Sequence, residues 1–480
     1  MPDRLSRRGL IAAAAAAGFA PCAARAAEAA SAPMLALSAY MAAAGEAALP
    51  AVTVEKAKHH ILDTFGAMIS GTELAPGKAA IAFARRYGGE KIATVAGSDV
   101  RCGPIEAALA NGVLAHSDET DDSHNLSQSH PGCAVVPAAL ALSEQFGVSG
   151  ARFLKAVTLG YDVGTRVDMA MGGFTFGNES HKDTHAIGGA FGAAAAAGSA
   201  AGLNAQQMRW LLDYTAQQSS GINAWQRDTD HMEKAFVFAG MPARSGVTGA
   251  MLVQAGWTGV DDVFSGEDNF FQAYAPKADP GQLSEGLGTR FEITRTDIKK
   301  WTVGSPIQAP LDALEILMKR EKFTGAEVRE VVVRLAPAVG SVVDNRTMPD
   351  VSVQHMLAVM LLDGTASFHA AHDRARMTDA AVMKMRAKVR LVMDDELTKR
   401  LPARDAIVEV VLNDGRKFSE MVHAVRGTAA NPMTREEVVA KVRDLTGPVL
   451  GAARANKLIE TVLALDALAD VRMLRPLLQA

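Results

Sequence analysis

The stretch that decides the fold runs from residue 104 to residue 124 and reads PIEAALANGVLAHSDETDDSH. Apolar residues recur at steps of three and four in its first half, which is the period of a helix with one buried face. Pro104 suits the first turn of that helix, since a residue there needs no backbone N–H donor. The helix ends near His116, so the acidic and histidine-rich second half lies at a helix end.

The same helical period extends through the first half of the chain, from Leu35 to about Trp257. One example is the apolar set Val54, Ala57, Ile61, Phe65 and Met68. We expect Thr53 to cap this helix and Gly71 to end it. Hydrophobic residues make up 49% of the chain but aromatic residues only 5%, a composition that favours closely packed helices over an all-β sandwich.

Beyond Glu285 the pattern changes, because short strand-like segments occur at 290–296, 328–335, 388–393 and 406–412. Asn413-Asp414-Gly415 predicts a hairpin turn before a further strand at 417–422. Helical patterns lie at 310–319 and 353–362 and return at 434–445 and 453–468. We therefore predict a mainly α fold, in which a large helical domain (35–285 plus 428–480) carries a smaller inserted α+β lid domain (286–427).

Residues 1–26 have the pattern of an export signal and not of a folded element. Adjacent arginines, Arg7-Arg8, precede an apolar run from Leu10 to Ala20, and a small-residue cleavage site ends at Ala26. Paired arginines in this position are typical of a twin-arginine (Tat) signal. We expect export by the Tat machinery to the periplasm of a bacterium; an Ala-rich disordered start is the alternative.

Charge and cysteine content exclude several classes of protein. The net charge is −4, whereas nucleic-acid binders usually show a basic domain or stripe. Only Cys102 and Cys133 of the three cysteines follow the signal, too few to hold an iron–sulfur cluster from one chain. We expect no membrane-spanning segment after the signal, and we interpret the Ala/Gly run 186–203 as an internal helix.

Carboxylates and histidines are concentrated between His116 and His130. Such a mixture supplies acid and base groups with different protonation preferences, as coupled proton abstraction and leaving-group protonation require. The same residues are also compatible with a divalent metal site, although their spacing matches no standard ligand signature. In a third interpretation, Asp121 and Asp122 only cap a helix and the histidines face solvent.

The motif Asn-Gly-x-x-x-His-x-x-(Asp/Glu)-x-Asp-Asp-(Ser/Thr) begins at Asn111 and is followed by His130-Pro131-Gly132. It resembles the N-terminal signature of the MmgE/PrpD family, and the segment that begins at Lys234 resembles a further helix start of that family. The resemblance runs from about residue 35 to the C-terminus. It implies a homodimeric enzyme without metal or other cofactor, which processes a small polycarboxylate in a cleft between helical and lid domains.

The resemblance also implies the site residues. Catalytic roles fall on Glu119, Asp121, Asp122, Ser123, His130 and Lys234. Substrate contacts fall on Lys299 and His116. His181 is a further expected contact, although the match to the family is looser there and His185 lies nearby. Arg346 is a further candidate for carboxylate binding on its side-chain chemistry alone. Lys234 and Lys299 would stabilise an enolate-like charge beside a carboxylate; ordinary surface lysines are the alternative.

Three departures from the family pattern bear on the reaction. One extra residue separates Asp122 from His130, Glu119 stands where Asp is usual, and Gly304 stands where decarboxylases of the family place a histidine. We therefore predict a hydro-lyase that eliminates water from a hydroxy-polycarboxylate such as 2-methylcitrate, with His130 as base. Epimerisation, isomerisation and decarboxylation are alternatives. A periplasmic carboxylate-binding protein is the alternative outside enzymes, which the helical first half disfavours because such proteins use strand–helix lobes.

Overall fold

The computed structural model describes residues 29–401 and 403–480. The predicted export signal, residues 1–26, lies outside the described residues. Two hydrophobic cores organise the described chain. One unites residues from Met34 to Ile298 with residues from Met433 to Leu478, and the other is built from residues between Trp301 and Val422. The fold is therefore mainly α with an inserted α+β part, as predicted.

The helical domain is built from helices, the type of structure that the periodicity from Leu35 to about Trp257 predicted. They are α1 (Ala32–Ala43), α2 (Ala51–Gly71), α3 (Ala75–Tyr87), α4 (Pro104–Ala115), α5 (Pro131–Phe146), α6 (Gly150–Met171), α7 (Gly173–Ser180), α8 (Thr184–Ala201), α9 (Ala205–Gln218), α10 (Met232–Ala235), α11 (Met241–Gln254) and α12 (Phe270–Tyr274). Two short strands, β1 (Ala93–Thr94) and β2 (Arg101–Cys102), pair antiparallel between α3 and α4.

Glycines allow the central helices α6 and α8 to lie against each other. A Cβ atom on Gly164 would stand 2.4 Å from the carbonyl oxygen of Gly188, and one on Gly160 would stand 2.8 Å from that of Gly192. Such distances are too short for a side chain, so the two backbones approach directly. The Ala/Gly run is thus an internal, buried helix.

The lid domain contains a four-stranded sheet of order β4-β3-β5-β6. Its strands are β3 (Val328–Leu335), β4 (Val389–Met393), β5 (Ala406–Leu412) and β6 (Lys417–Val422), with β3–β4 parallel and the other pairs antiparallel. Its helices are α13 (Ser305–Glu321), α14 (Pro337–Val343), α15 (Val353–Asp363), α16 (Phe368–His372), α17 (Ala380–Arg386) and α18 (Asp395–Thr398). The chain then returns to the helical domain through α19 (Arg435–Leu450), α20 (Ala452–Leu463) and α21 (Arg475–Leu478).

Two local predictions were wrong. Residues 290–296 form no strand; Glu292–Arg295 is a 3-10 turn, and the side chain of Asp162, not a neighbouring strand, accepts the backbone N–H of Glu292. Thr53 does not cap α2, which begins two residues earlier, after Pro50. Gly71 does end that helix, as predicted.

One helical stretch among the described residues, Met232–Gln254, is long and apolar enough to cross a membrane by length and composition. In the structure 67% of its most apolar window is buried by the rest of the chain. Core helices have this property too, and this helix carries Lys234 towards the cavity described next.

Candidate active site

A cavity of about 190 Å³ lies between the helical domain and the lid domain, and we call it the interdomain cavity. Its polar and aromatic wall from the helical domain includes Glu119, Asn125, Gln128, His130, Lys182, His185, Trp225, Lys234 and Phe238. The lid contributes Gly304, Ser305, Val339, Val342, Val351 and Arg404. Acid, base and cationic groups therefore meet in one space of small-molecule size.

The loop after α4 reaches this cavity because α4 packs closely on the helix that carries Lys234. A Cβ atom on Gly112 would stand 2.7 Å from the carbonyl oxygen of Ala239, so only glycine permits this approach. Ala239 belongs to a π-helical turn, Phe236–Gly240, inserted between α10 and α11; such turns are frequent at functional sites. The turn carries Phe238, whose ring stacks on His116 and on His185, with centroid distances of 4.7 Å and 3.8 Å.

Glu119 is held by two lysines. Lys234 Nζ makes a direct ion pair with Glu119 Oε1, while Lys299 Nζ lies 3.6 Å from Glu119 Oε2 and donates to the Glu119 carbonyl oxygen at 2.9 Å. Burial would raise the pKa of Glu119, but the charges of Lys234 and then Lys299 hold it well below its ordinary value. The Lys234 side chain is 14% exposed, at the cavity, whereas that of Lys299 is 2% exposed. Lys299 therefore contacts the carboxylates from the side that faces away from the interdomain cavity.

Asp121 links two histidines. Its Oδ2 lies 2.9 Å from His116 Nδ1 and its Oδ1 lies 3.2 Å from His130 Nδ1. Burial would raise the pKa of Asp121, but His116, His130 and Lys299 hold it well below its ordinary value. Burial also holds the pKa of His130 well below its ordinary value, against the opposing effect of Asp121. His130 is therefore a neutral imidazole at neutral pH. We call Glu119, Asp121, His130, Lys234 and Lys299 the site cluster.

Asp122 belongs to a different network, behind the cavity wall. It lies 2.7 Å from His60 Nδ1, and it accepts hydrogen bonds from the Tyr161 hydroxyl at 2.5 Å and from the Gly132 N–H at 3.0 Å. The last bond satisfies a backbone N–H in the first turn of α5, as the capping interpretation proposed for Asp122. That interpretation was wrong for Asp121, which contacts His116 and His130, and for the histidines of this segment, which are buried. A neighbouring ion pair joins Lys441 Nζ to Asp63 Oδ1 at 2.7 Å. We call His60, Asp63, Asp122, Tyr161 and Lys441 the support cluster.

The support cluster and the segment that leads into the lid both anchor the site loop through its backbone. Lys441 Nζ donates to the Thr120 carbonyl oxygen at 2.9 Å. Ser123 exchanges two backbone hydrogen bonds with Asp297, of 2.9 Å and 2.8 Å. Ser123 lines a second space of about 330 Å³, the adjoining cavity, together with Asp297, Lys299 and Arg404. The loop that presents Glu119 and Asp121 is thus fixed from two sides.

Comparison with known proteins agrees with the motif. The MmgE/PrpD N-terminal domain model matches residues 35–283, and the MmgE/PrpD C-terminal domain model matches residues 301–467. The chain belongs to the MmgE/PrpD family. The family prediction is therefore confirmed, and the junction between the matched segments lies near the boundary between the two hydrophobic cores.

Several curated relatives are similar over almost the full length. The cis-aconitate decarboxylase-like protein oryM of Aspergillus oryzae is 26% identical, over 90% of this chain and 94% of its own. Cis-aconitate decarboxylase of Aspergillus terreus is 26% identical, over 90% and 92%. The Homo sapiens cis-aconitate decarboxylase is 26% identical, over 89% and 90%.

None of the four substrate contacts expected from sequence lines the interdomain cavity of this MmgE/PrpD protein. His116 is fully buried against Phe238, and Lys299 lines the adjoining cavity. His181 is exposed at the end of α7, with a left-handed backbone, φ 59°. The neighbouring match, His185, lines the cavity instead, because α8 turns it inward. Arg346 lines a side cavity of about 220 Å³ between the two domains, which shares Trp225, Gln226, Lys234, Val342 and Val351 with the interdomain cavity.

His231 and Arg404 lie at the site but belong to no motif that identifies them in the sequence. His231 is buried beside His116, and burial together with Lys234 lowers its pKa to about 3. Its place three residues before Lys234 is the one signal that pointed to it. Arg404 lines both the interdomain and the adjoining cavity from the lid. Nothing in the sequence around Arg404 distinguishes it from a surface arginine.

The histidine and carboxylate atoms at the site are of the kinds that bind metal ions, but the positive charges of the neighbouring lysines oppose metal binding. His116, Asp121 and His130 form one group with ligand atoms within 4.8 Å of one another, and His116, Glu119 and His231 form another. The ammonium groups of Lys234 and Lys299 already contact the carboxylates of these groups. A divalent cation there would lie beside two fixed positive charges, which the local electrostatics disfavour.

Proposed function

We propose that this chain is a lyase that acts on a small polycarboxylate by proton transfer at a carbon next to a carboxylate, with elimination of water as the reaction. The observation that carries the proposal is the orientation of His130. Its Nδ1 is held by Asp121 while the ring lines the interdomain cavity.

His130 has the properties of a general base. The ionised Asp121 only accepts hydrogen bonds, so the proton of the neutral imidazole lies on Nδ1 and the lone pair on Nε2. Among the residues that the structure describes, none makes a hydrogen bond to Nε2. Because burial keeps the ring neutral, His130 is ready to remove a proton at neutral pH.

Lys234 supplies the complementary charge. Its ammonium lies 5.2 Å from the Trp225 ring centroid and 5.0 Å from that of Phe238, at the edge of the cavity. Here it can stabilise the negative charge that develops on the substrate carboxylate when the carbon loses its proton. In the elimination the carbon–oxygen bond breaks as the carbon–carbon double bond forms. The Lys234 ammonium donates the proton with which the hydroxyl group leaves as water.

Decarboxylation of an unsaturated tricarboxylate is the second candidate, and the names of the relatives favour it. There the bond to a carboxylate would break, carbon dioxide would leave, and a protonated site group would deliver a proton to the carbon. Gly304 bears on this choice, because it lines the cavity without a side chain, and a Cβ atom there would meet nothing closer than 3.6 Å. A side chain at this position would therefore stand in ordinary van der Waals contact, so sterics do not demand glycine, and the missing histidine favours elimination of water.

Nuclear magnetic resonance in heavy water distinguishes the two reactions. The protein is incubated with 2-methylcitrate, citrate or cis-aconitate, and the alkene, the exchange of the α-proton and released ¹³CO₂ are followed. We expect alkene formation from a hydroxy acid, lost in Lys234→Ala and retained in the control Lys78→Ala, an exposed lysine of α3. Release of carbon dioxide from cis-aconitate would select decarboxylation. Binding with neither exchange nor turnover would select the carboxylate-binding protein.

Export and assembly are further proposals. The Tat signal predicts a periplasmic enzyme, and replacement of Arg7-Arg8 by Lys-Lys should retain the protein in the cytoplasm in a fractionation experiment. The family resemblance predicts a homodimer, which light scattering of the protein without residues 1–26 would test.

A further inference from the structure

Arg404 lies at the boundary of the two spaces between the domains. It follows β4 and precedes β5, on the lid side, and it lines both the interdomain cavity and the adjoining cavity. Asn125 and Ser305 are the other residues common to both walls. A group on a ligand that extends from His130 towards the adjoining cavity must therefore pass Arg404.

The other cationic side chains of these two walls are already partnered. Lys182 donates to the Tyr274 carbonyl oxygen at 3.0 Å, and Lys234 and Lys299 contact Glu119. Arg295 pairs with Glu292 at 3.0 Å, and Arg426 pairs with Glu437. In residues 29–401 and 403–480, by contrast, no hydrogen bond or ion pair satisfies Arg404.

An unpaired guanidinium in a half-buried position is unfavourable without an anion. Burial lowers the pKa of Arg404, and the charges of Asp297 and Glu119 oppose that effect only from a distance. A guanidinium presents a planar fork of N–H donors that matches the two oxygens of a carboxylate. A carboxylate beside Arg404 would restore the hydrogen bonds that the side chain gave up on leaving water.

We propose that Arg404 binds a second carboxylate of the substrate, one not attached to the reacting carbon, and thereby selects acids that carry at least two carboxylates. This inference rests on the proposed function, because it takes His130 and Lys234 as the place of the reaction. Arg404 acts in recognition, so its contribution falls on substrate binding and not on the chemical step.

The test compares two probes of equal size that differ in one charge. Glutarate has two carboxylates, and its monoamide, glutaramate, has one of them replaced by a neutral amide. Calorimetric binding of both probes is measured for the full-length protein, for Arg404→Gln and Arg404→Lys, and for Arg390→Gln. Arg390 is a matched control, since it lies on β4 of the same domain and is 60% exposed.

The wild-type protein should bind glutarate on the order of tenfold to a hundredfold more tightly than glutaramate, as expected for hydrogen bonds between charged groups. Arg404→Gln should remove this preference, Arg404→Lys should retain part of it, and Arg390→Gln should retain all of it. With a turned-over polycarboxylate, Arg404→Gln should raise KM far more than it lowers kcat. Melting temperatures near that of the wild type would show that the variants are folded.

Two results overturn the inference, and they are distinguishable. If Arg404→Gln still prefers glutarate as strongly as the wild type, while Lys234→Ala abolishes turnover, the second carboxylate binds elsewhere and the proposed function survives. If the wild type binds neither probe and converts no polycarboxylate, the proposed function and the inference fail together.

Discussion

The site cluster and the support cluster are built from the same residue types, yet they occupy opposite sides of one loop. Asp121 and Asp122 are consecutive, and each is buried and bonded to a histidine. Asp121 orients His130 towards the interdomain cavity. Asp122 contacts His60, Tyr161 and the first turn of α5, and no member of the support cluster lines any of the three cavities between the domains described above.

The residue type alone therefore does not tell which of several adjacent carboxylates or histidines takes part in a reaction. The partners of each side chain and its distance from a cavity decide this. In the site cluster, the ion pairs leave His130 Nε2 without a partner among the described residues and leave the Lys234 ammonium at the interdomain cavity. In the support cluster, burial raises the pKa of both Asp63 and Tyr161, against the effect of Lys441 on Asp63, and their polar atoms face other protein groups. We therefore propose that the first cluster takes part in the reaction and that the second stabilises the loop.

The largest expected effect is that of His130→Asn on activity. Loss of a general base lowers kcat on the order of a hundredfold to ten-thousandfold, while the exposed His369 of the lid, changed in the same way, should leave kcat unaltered. Steady-state kinetics with the substrate that the heavy-water experiment identifies would measure kcat, and urea denaturation would measure stability. If the His130→Asn variant kept nearly full activity, the site cluster would not be the place of the reaction.

Asp122→Ala should affect stability in the first place. The change leaves His60, Tyr161 and the Gly132 N–H without their acceptor in the interior, which costs about 3 kcal/mol of unfolding free energy. Urea denaturation monitored by circular dichroism measures this loss. Asp99→Ala, which removes an exposed ion pair with Arg85, should cost less than about 1 kcal/mol. A stable Asp122→Ala variant without activity would move Asp122 into the site cluster.

The smallest effect concerns a contact between the lid and the site loop. His372 Nε2 of the lid lies 2.8 Å from Asp118 Oδ2. Burial would lower the pKa of His372, but Asp118 raises it to about 9 from an ordinary 6.5. This ion pair therefore stabilises the folded state fully below about pH 6.5, and the contribution is lost as the pH rises through about 9.

Thermal unfolding between pH 6 and pH 10 tests this contact. The wild-type melting temperature should fall more steeply above about pH 8 than that of His372→Gln, because the variant has no such charge to lose. Equal slopes for the two proteins would show that the lid does not depend on the pair. His369→Gln is the control for removal of a lid histidine.

Much of the fold was predictable from local pattern. The strands 328–335, 406–412 and 417–422 and the turn between the last two were located to the residue, because alternation and turn chemistry are local properties. The segment 290–296 was not, since its conformation depends on Asp162, more than a hundred residues away. The same reason explains why His181 was chosen over His185.

By itself, the sequence determined the family, the order and type of most elements, and the short segment where acids and histidines meet. Those properties follow from periodicity and from a motif that is contiguous along the chain. Only the tertiary structure gave Asp121 and Asp122 different partners and placed Lys299 on the side of Glu119 that faces away from the interdomain cavity. It also brought Arg404 of the lid to a cavity built mainly by the helical domain. Such assignments depend on which distant groups desolvate and partner each side chain, and these contacts exist only once the two domains have packed together.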